Sequence, residues 1–192
     1  MKISAKKGSE VMKYYLGMDM SLTSPGFCWA EEEEPYIESV NFKSKNTGFE
    51  RIVDIHNEVV NYLSSFSSSA LGKFSLGKII MEELPAGSRS PYTIERAELV
   101  GVIKNAIYRM DLWDKFILVN PSTLKKFATG KGNSDKSAMI LQAYKEFSLE
   151  FTCNDECDAF WLAQVGRAMD GYWDGLNRTK LRESVIEKLK GA

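Results

Sequence analysis

The chain has 192 residues, 44% of them hydrophobic, and its formal net charge is −1. This length and composition suit one domain with a full core and a small extension, and the near-neutral charge excludes a general electrostatic attraction to DNA or to anionic lipid. No apolar run approaches the roughly 20 residues that a membrane helix needs, so we expect no membrane contact. Three cysteines without C-x-x-C spacing favour a reducing compartment, which we take to be the cytoplasm.

Three strands are predicted at the start of the chain. The first twelve residues are polar and basic, and we interpret residues 1–12 as a flexible tail rather than a signal peptide. Apolar runs at 14–20 and 26–30 are separated by the turn sequence SPG and predict two strands, and residues 36–42 predict a third. The short connections are typical of an antiparallel meander.

Helical periodicity begins after the third strand. Residues 49–66 carry an apolar stripe at helical spacing, formed by Ile52, Ile55, Val59, Tyr62 and Leu63. A β-like run at 74–81 follows, and residues 93–110 predict a long helix. The side chains that we expect along one side of that helix are Ile94, Ala97, Val100, Gly101, Lys104, Ile107 and Tyr108.

The last part of the chain predicts one strand and four helices. Residues 116–119 form the strand, and Pro121 is typical of a helix start because proline is tolerated in the first turn. Further helices are predicted at 136–147, 155–169 and 178–190. The complete order indicates an α/β domain in which helices cover the faces of a mixed sheet.

Four carboxylates stand where a catalytic site could use them. Asp19 lies inside the first predicted strand, Glu82 ends the fourth, and Asp155 and Asp158 share one face at the start of a helix. An unpaired buried carboxylate is costly, so such a residue is usually paired, protonated or bound to a metal. Oxygen ligands of this kind suit Mg²⁺, although Asp155 is also typical of a helix cap or a first-turn acid.

Glu82 has an acidic neighbour, Glu83, that could serve in its place. Side chains alternate along a strand, so the two glutamates should point to opposite faces of the sheet. If Asp19 and Glu82 lie on adjacent strands and face the same way, Glu83 points elsewhere. We therefore expect Glu82 to be the functional residue of the pair.

A basic loop with two glycines lies in the last third of the chain. The side chains that surround the glycines at positions 130 and 132 are Lys125, Lys126, Lys131 and Lys136. Backbone amides freed by glycine, together with lysines, suit contact with phosphate groups, and an ordinary solvated loop is the alternative. Arg89, in the Gly/Ser/Pro loop after Glu82, could also meet a phosphate or remain a surface arginine.

Five motifs, taken in order, resemble those of the RuvC-type Holliday junction resolvases of the RNase H-like superfamily. LGMDMSLTSPGF at 16–27 is similar to their first-strand aspartate motif, and IIMEELPAGSRSP at 79–91 to the strand that ends in glutamate. ERAELVGVIKNAI at 95–107 resembles the long helix that follows, NPSTLKKFATGKGNSDKSAM at 120–139 the basic segment, and NDECDAFWLAQVG at 154–166 the closing helix. Each motif is weak alone, but five in the right order are specific.

The resemblance implies a fold, an activity and a set of site residues. The fold is an RNase H-like α/β fold, a mixed five-stranded β-sheet flanked by α-helices, with a nuclease domain at 13–170 and a C-terminal helical extension at 171–192. The activity is that of a homodimeric endonuclease that nicks four-way DNA junctions symmetrically and uses no small-molecule cofactor. Two Mg²⁺ ions per active site, or Mn²⁺ in their place, would be held by Asp19, Glu82, Asp155 and Asp158.

The resemblance also implies roles for basic residues and for the surface between protomers. Lys125 and Lys136 match the family's basic positions near the scissile phosphate, and Lys136 could act catalytically by stabilising negative charge in the transition state. The surface that pairs two protomers would include the long helix after Glu82.

The chain departs from the family pattern in two places. Members often carry an aromatic side chain just after the catalytic glutamate; here Leu84 and Pro85 stand there, and Tyr92 is the nearest aromatic residue and a candidate DNA contact. The segment 171–192 has no counterpart, and its basic residues predict either DNA contact or a solvated or dimer-packing helix: Arg178, Lys180, Arg182, Lys188 and Lys190. The compact, divergent form resembles a bacteriophage version of the family.

Two other functions remain open from the sequence. The first-strand motif also resembles the phosphate-binding strands of actin-like ATPases and sugar kinases, but those folds duplicate the unit and need a second glycine-rich phosphate strand, which this chain lacks. The other candidate is a catalytically inactive RNase H-like module that binds branched DNA. Four acids at matching places favour an enzyme over that module, because buried unpaired acids are costly unless a metal offsets them.

Overall fold

A mixed sheet of five strands forms the centre of the computed structural model, which describes residues 12–67, 74–84 and 90–191. The strands are β1 (Met12–Asp19), β2 (Gly26–Glu31), β3 (Glu38–Asn41), β4 (Phe74–Glu82) and β5 (Phe116–Val119). Their order across the sheet is β3-β2-β1-β4-β5. β1, β2 and β3 pair antiparallel as a meander, and β4 and β5 run parallel to β1. The predicted fold class is confirmed.

Helices cover both faces of this sheet. They are α1 (Gly48–Ser67), α2 (Pro91–Arg109), α3 (Pro121–Thr129), α4 (Lys136–Phe147), α5 (Asn154–Met169) and α6 (Lys180–Lys190). α1 and α2 pack through one hydrophobic cluster, and α3 to α6 pack through a second one in which α5 is central. Within the described ranges, no helix is both long enough and apolar enough to cross a membrane.

Two glycines allow α5 to approach the sheet closely. A Cβ atom at Gly17 in β1 would collide with the backbone carbonyl of Ala159, and one at Gly26 in β2 would collide with the backbone carbonyl of Asp155. Glycine at both positions therefore permits a backbone-to-backbone contact that any side chain would block. The contact places the N-terminus of α5 beside Asp19, at the end of β1.

Most predicted elements lie close to their observed bounds, and the predicted stripe of α1 is buried except for Tyr62, which is half-buried. The predicted tail falls outside the described residues except for Met12, which begins β1. Of the side chains expected along one side of α2, Val100 and Ile107 are buried, whereas Ile94, Ala97, Gly101 and Tyr108 are exposed. The buried residues of this helix are Leu99, Val100, Ile103, Ala106 and Ile107. α2 carries apolar residues on two faces, and the face with the larger aliphatic side chains packs on the sheet.

The C-terminal segment packs on the rest of the domain through Arg182, which is only 4% exposed. Its guanidinium donates hydrogen bonds to the backbone carbonyls of Phe127 and Ala128 at 2.8 and 2.9 Å, and it pairs with Glu146 at 2.8 Å. The expectation of a solvated or DNA-contacting role for Arg182 is therefore wrong, since all of its bonds are internal to the fold. The other basic side chains of α6 remain exposed: Lys180, Lys188 and Lys190.

Candidate active site

Asp19 and Glu82 end two neighbouring parallel strands. After a register shift between Tyr14 and Tyr15, β1 and β4 pair without interruption up to Met18 and Met81, so the two carboxylates that follow emerge side by side at one edge of the sheet. Both are largely buried, with side-chain exposed fractions of 6% and 14%. Glu83 is exposed instead, and its Oε2 accepts a 3.4 Å hydrogen bond from Asn120. Of the two adjacent glutamates, Glu82 is the one that lies beside Asp19.

Arg96 of α2 binds both of these carboxylates. Its Nη2 lies 3.3 Å from Oδ1 of Asp19 and 3.7 Å from Oε1 of Glu82. Its Nε donates a 2.7 Å hydrogen bond to the backbone carbonyl of Met20, directly after β1. Sequence reasoning missed Arg96 because it stands 77 positions from Asp19 in the chain. The one local signal is an arginine inside the long-helix motif at 95–107.

Lys136, the first residue of α4, binds the other two acids. Its Nζ lies 3.2 Å from Oδ2 of Asp158 and 3.7 Å from Oδ1 of Asp155. The helix begins there because the Asp135 side chain caps it, accepting a 2.7 Å hydrogen bond from the backbone N–H of Ala138. The basic loop thus delivers one lysine directly into the acid cluster.

Two serines from the turn after β1 hold the second oxygen of Asp155. The Oγ of Ser24 donates a hydrogen bond to Oδ2 of Asp155 at 2.6 Å, and the Oγ of Ser21 does so at 3.3 Å. Asn41 of β3 in turn donates a 2.6 Å hydrogen bond to the backbone carbonyl of Ser24. Sequence reasoning missed these contacts, although both serines lie in the motif at 16–27. The orientation of Asp155 is fixed by side chains from the turn and from α4.

The site holds more negative than positive charge in a small volume. Burial raises the pKa of Asp19 well above its usual value, and the neighbouring carboxylates, Glu82 first, raise it further. Burial and then the charge of Asp158 raise the pKa of Glu82 to about 6, against the opposing effect of Arg96. Burial also raises the pKa of Asp158, although Lys136 opposes this shift. For Lys136, burial lowers the pKa, but the carboxylates of Asp158, Asp19 and Asp155 together outweigh burial, and the pKa is raised.

The donor chemistry of this cluster fits a hard divalent cation. The four acids offer only oxygen ligands, which Mg²⁺ and Mn²⁺ prefer. The raised pKa values of Asp19, Glu82 and Asp158 show that further positive charge would be favourable. In the part of the chain that the structure describes, no group of three or more Asp, Glu, His or Cys side chains is arranged to hold a metal ion. Two cationic side chains instead divide the acids into the two pairs described above.

The remaining predicted DNA contacts are distributed around the cluster. Lys125 on α3 is close enough to lower the pKa values of two of the acids. Lys126 lies on the wall of a separate cavity of about 320 Å³ between α3, α4 and α6. Lys131 is exposed in the loop before α4, and Tyr92 is half exposed at the start of α2. Arg89 lies outside the described residues.

Comparison with known proteins gives a structural likeness at low sequence identity. No protein-family model matches the chain, and no curated protein matches it. Thermus thermophilus RuvC is similar with a TM-score of 0.62 and 16% identity, over 84% of this chain and 98% of that chain. T. thermophilus RuvC in complex with a Holliday junction substrate has a TM-score of 0.61 and 16% identity, over 80% of this chain and 91% of that chain. The yeast mitochondrial Holliday junction resolvase has a TM-score of 0.52 and 15% identity, over 92% of this chain and 81% of that chain. The chain therefore has the RuvC-like, RNase H-like fold.

Proposed function

We propose that the protein is a structure-specific endodeoxyribonuclease that resolves Holliday junctions and other branched DNA by Mg²⁺-dependent hydrolysis of phosphodiester bonds. One observation carries the proposal: four carboxylates from β1, β4 and α5 lie so close together that, besides burial, the charges of the other three raise the pKa of Asp19. Asp19 and Glu82 share Arg96. Asp155 and Asp158 share Lys136. The fold shared with RuvC, one structure of which contains a Holliday junction substrate, supports the choice of substrate.

The four carboxylates are proposed to hold two Mg²⁺ ions, with Mn²⁺ as a substitute. The chemistry supplied by these ions would be polarisation of the phosphate and activation of a water molecule. The chain itself provides oxygen ligands on the ends of two strands and one helix, which gives them a rigid base. Ser21 and Ser24 hold Oδ2 of Asp155, so this ligand is oriented by the fold.

Lys136 is proposed to contact the phosphate that is cut. Its side chain is 48% exposed, so its ammonium can reach both the acids and an incoming strand. Hydrogen bonds from Lys136 to the non-bridging oxygens would stabilise the negative charge of the transition state. Lys125 and the exposed Lys131 extend this positive surface, which suits phosphate contacts. A chain that is nearly neutral then binds DNA through a local patch, and the affinity falls with added salt.

A homodimer is proposed to form through the outer face of α2. Ile94, Ala97, Gly101 and Tyr108 lie on this face at helical spacing and are exposed. A Cβ atom at Gly101 would meet nothing within 4 Å, so a partner backbone has room to approach there. An exposed apolar face of this kind is typical of an interaction surface. Two protomers would present two active sites to the symmetric strands of a junction.

Cleavage of labelled four-way, three-way and linear duplex DNA of matched sequence, in Mg²⁺, tests the proposal. We expect paired symmetric nicks in the four-way junction, mapped to the nucleotide, and no nicks with the Asp19→Asn variant. Cleavage of linear duplex alone would indicate a general nuclease. Tight junction binding without cleavage in Mg²⁺ or Mn²⁺ would indicate a catalytically inactive module that binds branched DNA.

A further inference from the structure

We infer that Arg96 is a built-in counterion that competes with a divalent cation for the carboxylates of Asp19 and Glu82. The inference rests on the proposed function, because it assumes that these two acids are metal ligands. Arg96 lies outside the predicted site, and its role here is to lower the affinity of that site for metal.

Arg96 is positioned to neutralise two strand-end acids at once. Its Nη2 lies 3.3 Å from Asp19 and 3.7 Å from Glu82, so one terminal nitrogen serves both carboxylates. Without a cation between them, these two largely buried acids would repel each other strongly, since little water screens them. The same positive charge opposes any other cation that approaches the same oxygens.

Arg96 is held in the site more firmly than Lys136 is. Its Nε donates a 2.7 Å hydrogen bond to the backbone carbonyl of Met20, and its side chain is 16% exposed. The side chain of Lys136 is 48% exposed, which leaves it free to turn toward solvent or substrate. The guanidinium therefore stays beside Asp19 when a metal ion arrives. It should make the site bind metal more weakly than the acids alone would.

The contact with Met20 also allows a purely structural role, in which Arg96 fastens α2 to the end of β1. The two roles predict different effects. If Arg96 is only structural, replacing it changes the stability of the protein and leaves metal affinity unchanged. If Arg96 is a counterion, replacing it changes metal affinity according to the charge of the new side chain. The positive charge at position 96 is therefore the quantity to vary.

Calorimetric titration of Mn²⁺ alone into the DNA-free protein measures the affinity directly. We expect Arg96→Gln to bind Mn²⁺ at least about tenfold more tightly than the wild type, because a full charge a few ångströms from the site is removed. Arg96→Lys keeps the charge and should stay close to the wild type. Arg109→Gln removes an exposed arginine from the last turn of the same helix and should leave the affinity unchanged. Arg96→Met supplies a second neutral variant if Arg96→Gln does not fold.

Tighter Mn²⁺ binding by a folded neutral variant, with wild-type affinity in Arg109→Gln, supports the counterion role. Unchanged or weaker binding by that neutral variant overturns it and leaves the metal site itself in place. The Asp19→Asn variant separates this result from a failure of the proposed function. If the wild type and Asp19→Asn bind Mn²⁺ equally, Asp19 is not a metal ligand, and both the proposed site and the counterion role are wrong.

Discussion

Ser24 and Asp155 are joined by a 2.6 Å hydrogen bond from the serine Oγ to the aspartate Oδ2, across 131 positions of the chain. The bond ties the turn after β1 to the first turn of α5. The turn is itself held by Asn41, which donates a 2.6 Å hydrogen bond to the carbonyl of Ser24. The carboxylate of Asp155 is thus aimed by the fold before any ligand is bound, which suits a site that depends on preorganised charge.

Replacing Ser24 with alanine should slow junction cleavage while the protein stays folded. The variant removes the shorter of the two serine hydrogen bonds to Asp155. The protein should stay folded, because the carboxylate is 18% exposed and water can supply the lost hydrogen bond. Misorientation of one ligand should lower the single-turnover cleavage rate by about tenfold. Ser184→Ala is the control, since that exposed serine only donates to the carbonyl of Leu181 in α6. Equal rates for the two variants would show that Ser24 does not position Asp155.

Replacing Asp19 with asparagine should abolish cleavage and raise the melting temperature of the metal-free protein. Burial and neighbouring carboxylates raise the pKa of Asp19 well above its usual value, so its charged form destabilises the fold at neutral pH. Asparagine keeps the shape and removes the charge. Thermal unfolding in a chelator measures the effect, and Asp114→Asn, at an exposed aspartate, is the control. A lower melting temperature for Asp19→Asn would mean that its bond to Arg96 outweighs the repulsion.

Replacing Glu82 with glutamine should stabilise the metal-free protein in a pH-dependent way. Burial and the charge of Asp158 raise the pKa of Glu82 from 4.5 to about 6, so protonation is favoured more in the folded than in the unfolded state. This contribution to stability is complete below pH 4.5 and is lost as the pH rises through about 6. The wild type should therefore lose about 1–2 kcal/mol of unfolding free energy relative to Glu82→Gln by about pH 7.

Denaturant unfolding in a chelator at several pH values measures that difference. Glu83→Gln is the matched control, because it makes the same substitution at the exposed neighbouring glutamate. A constant difference between Glu82→Gln and the wild type would show that Glu82 titrates as an ordinary surface acid.

The strands, the helices and the four acids could be predicted because the patterns that define them are local. Alternation along β4 separates Glu82 from Glu83 within two adjacent residues, and a spacing of three puts Asp155 and Asp158 on one face of α5. Glycine patterns near Asp19 indicate a turn, but they do not indicate which helix the chain will meet there. Only the structure shows that the helix is α5, whose backbone contacts Gly17.

Apart from Lys136, the polar partners of the acids could not be predicted, because they come from distant parts of the chain. Arg96 stands 77 positions from Asp19, and Ser24 stands 131 positions from Asp155. Apart from the place of Arg96 inside the motif at 95–107, no local pattern distinguishes it from Arg109 in the same helix. Which face of α2 would be buried could not be predicted for a related reason. Both of its faces carry apolar residues, and packing against the sheet decides which one is buried.

The exposed face of α2 should control the oligomeric state. Ile94 is 56% exposed on that face, so replacing it with arginine should not disturb the core. In a dimer through α2, the new charge would be buried beside its own symmetry copy, and dimer interfaces tolerate such unpaired charge poorly. We expect sedimentation to show a dimer for the wild type and a monomer for Ile94→Arg, with nearly equal melting temperatures at low protein concentration.

Leu141→Arg is the matched control for this experiment. Leu141 is an aliphatic residue of α4 that is 51% exposed, and it lies on a different helix from the proposed interface. The variant should remain a dimer, because the same chemical change is made outside the contact. Dissociation by both variants would indicate that added charge alone separates the protomers. A wild-type dimer that Ile94→Arg leaves intact would place the interface on a surface other than α2.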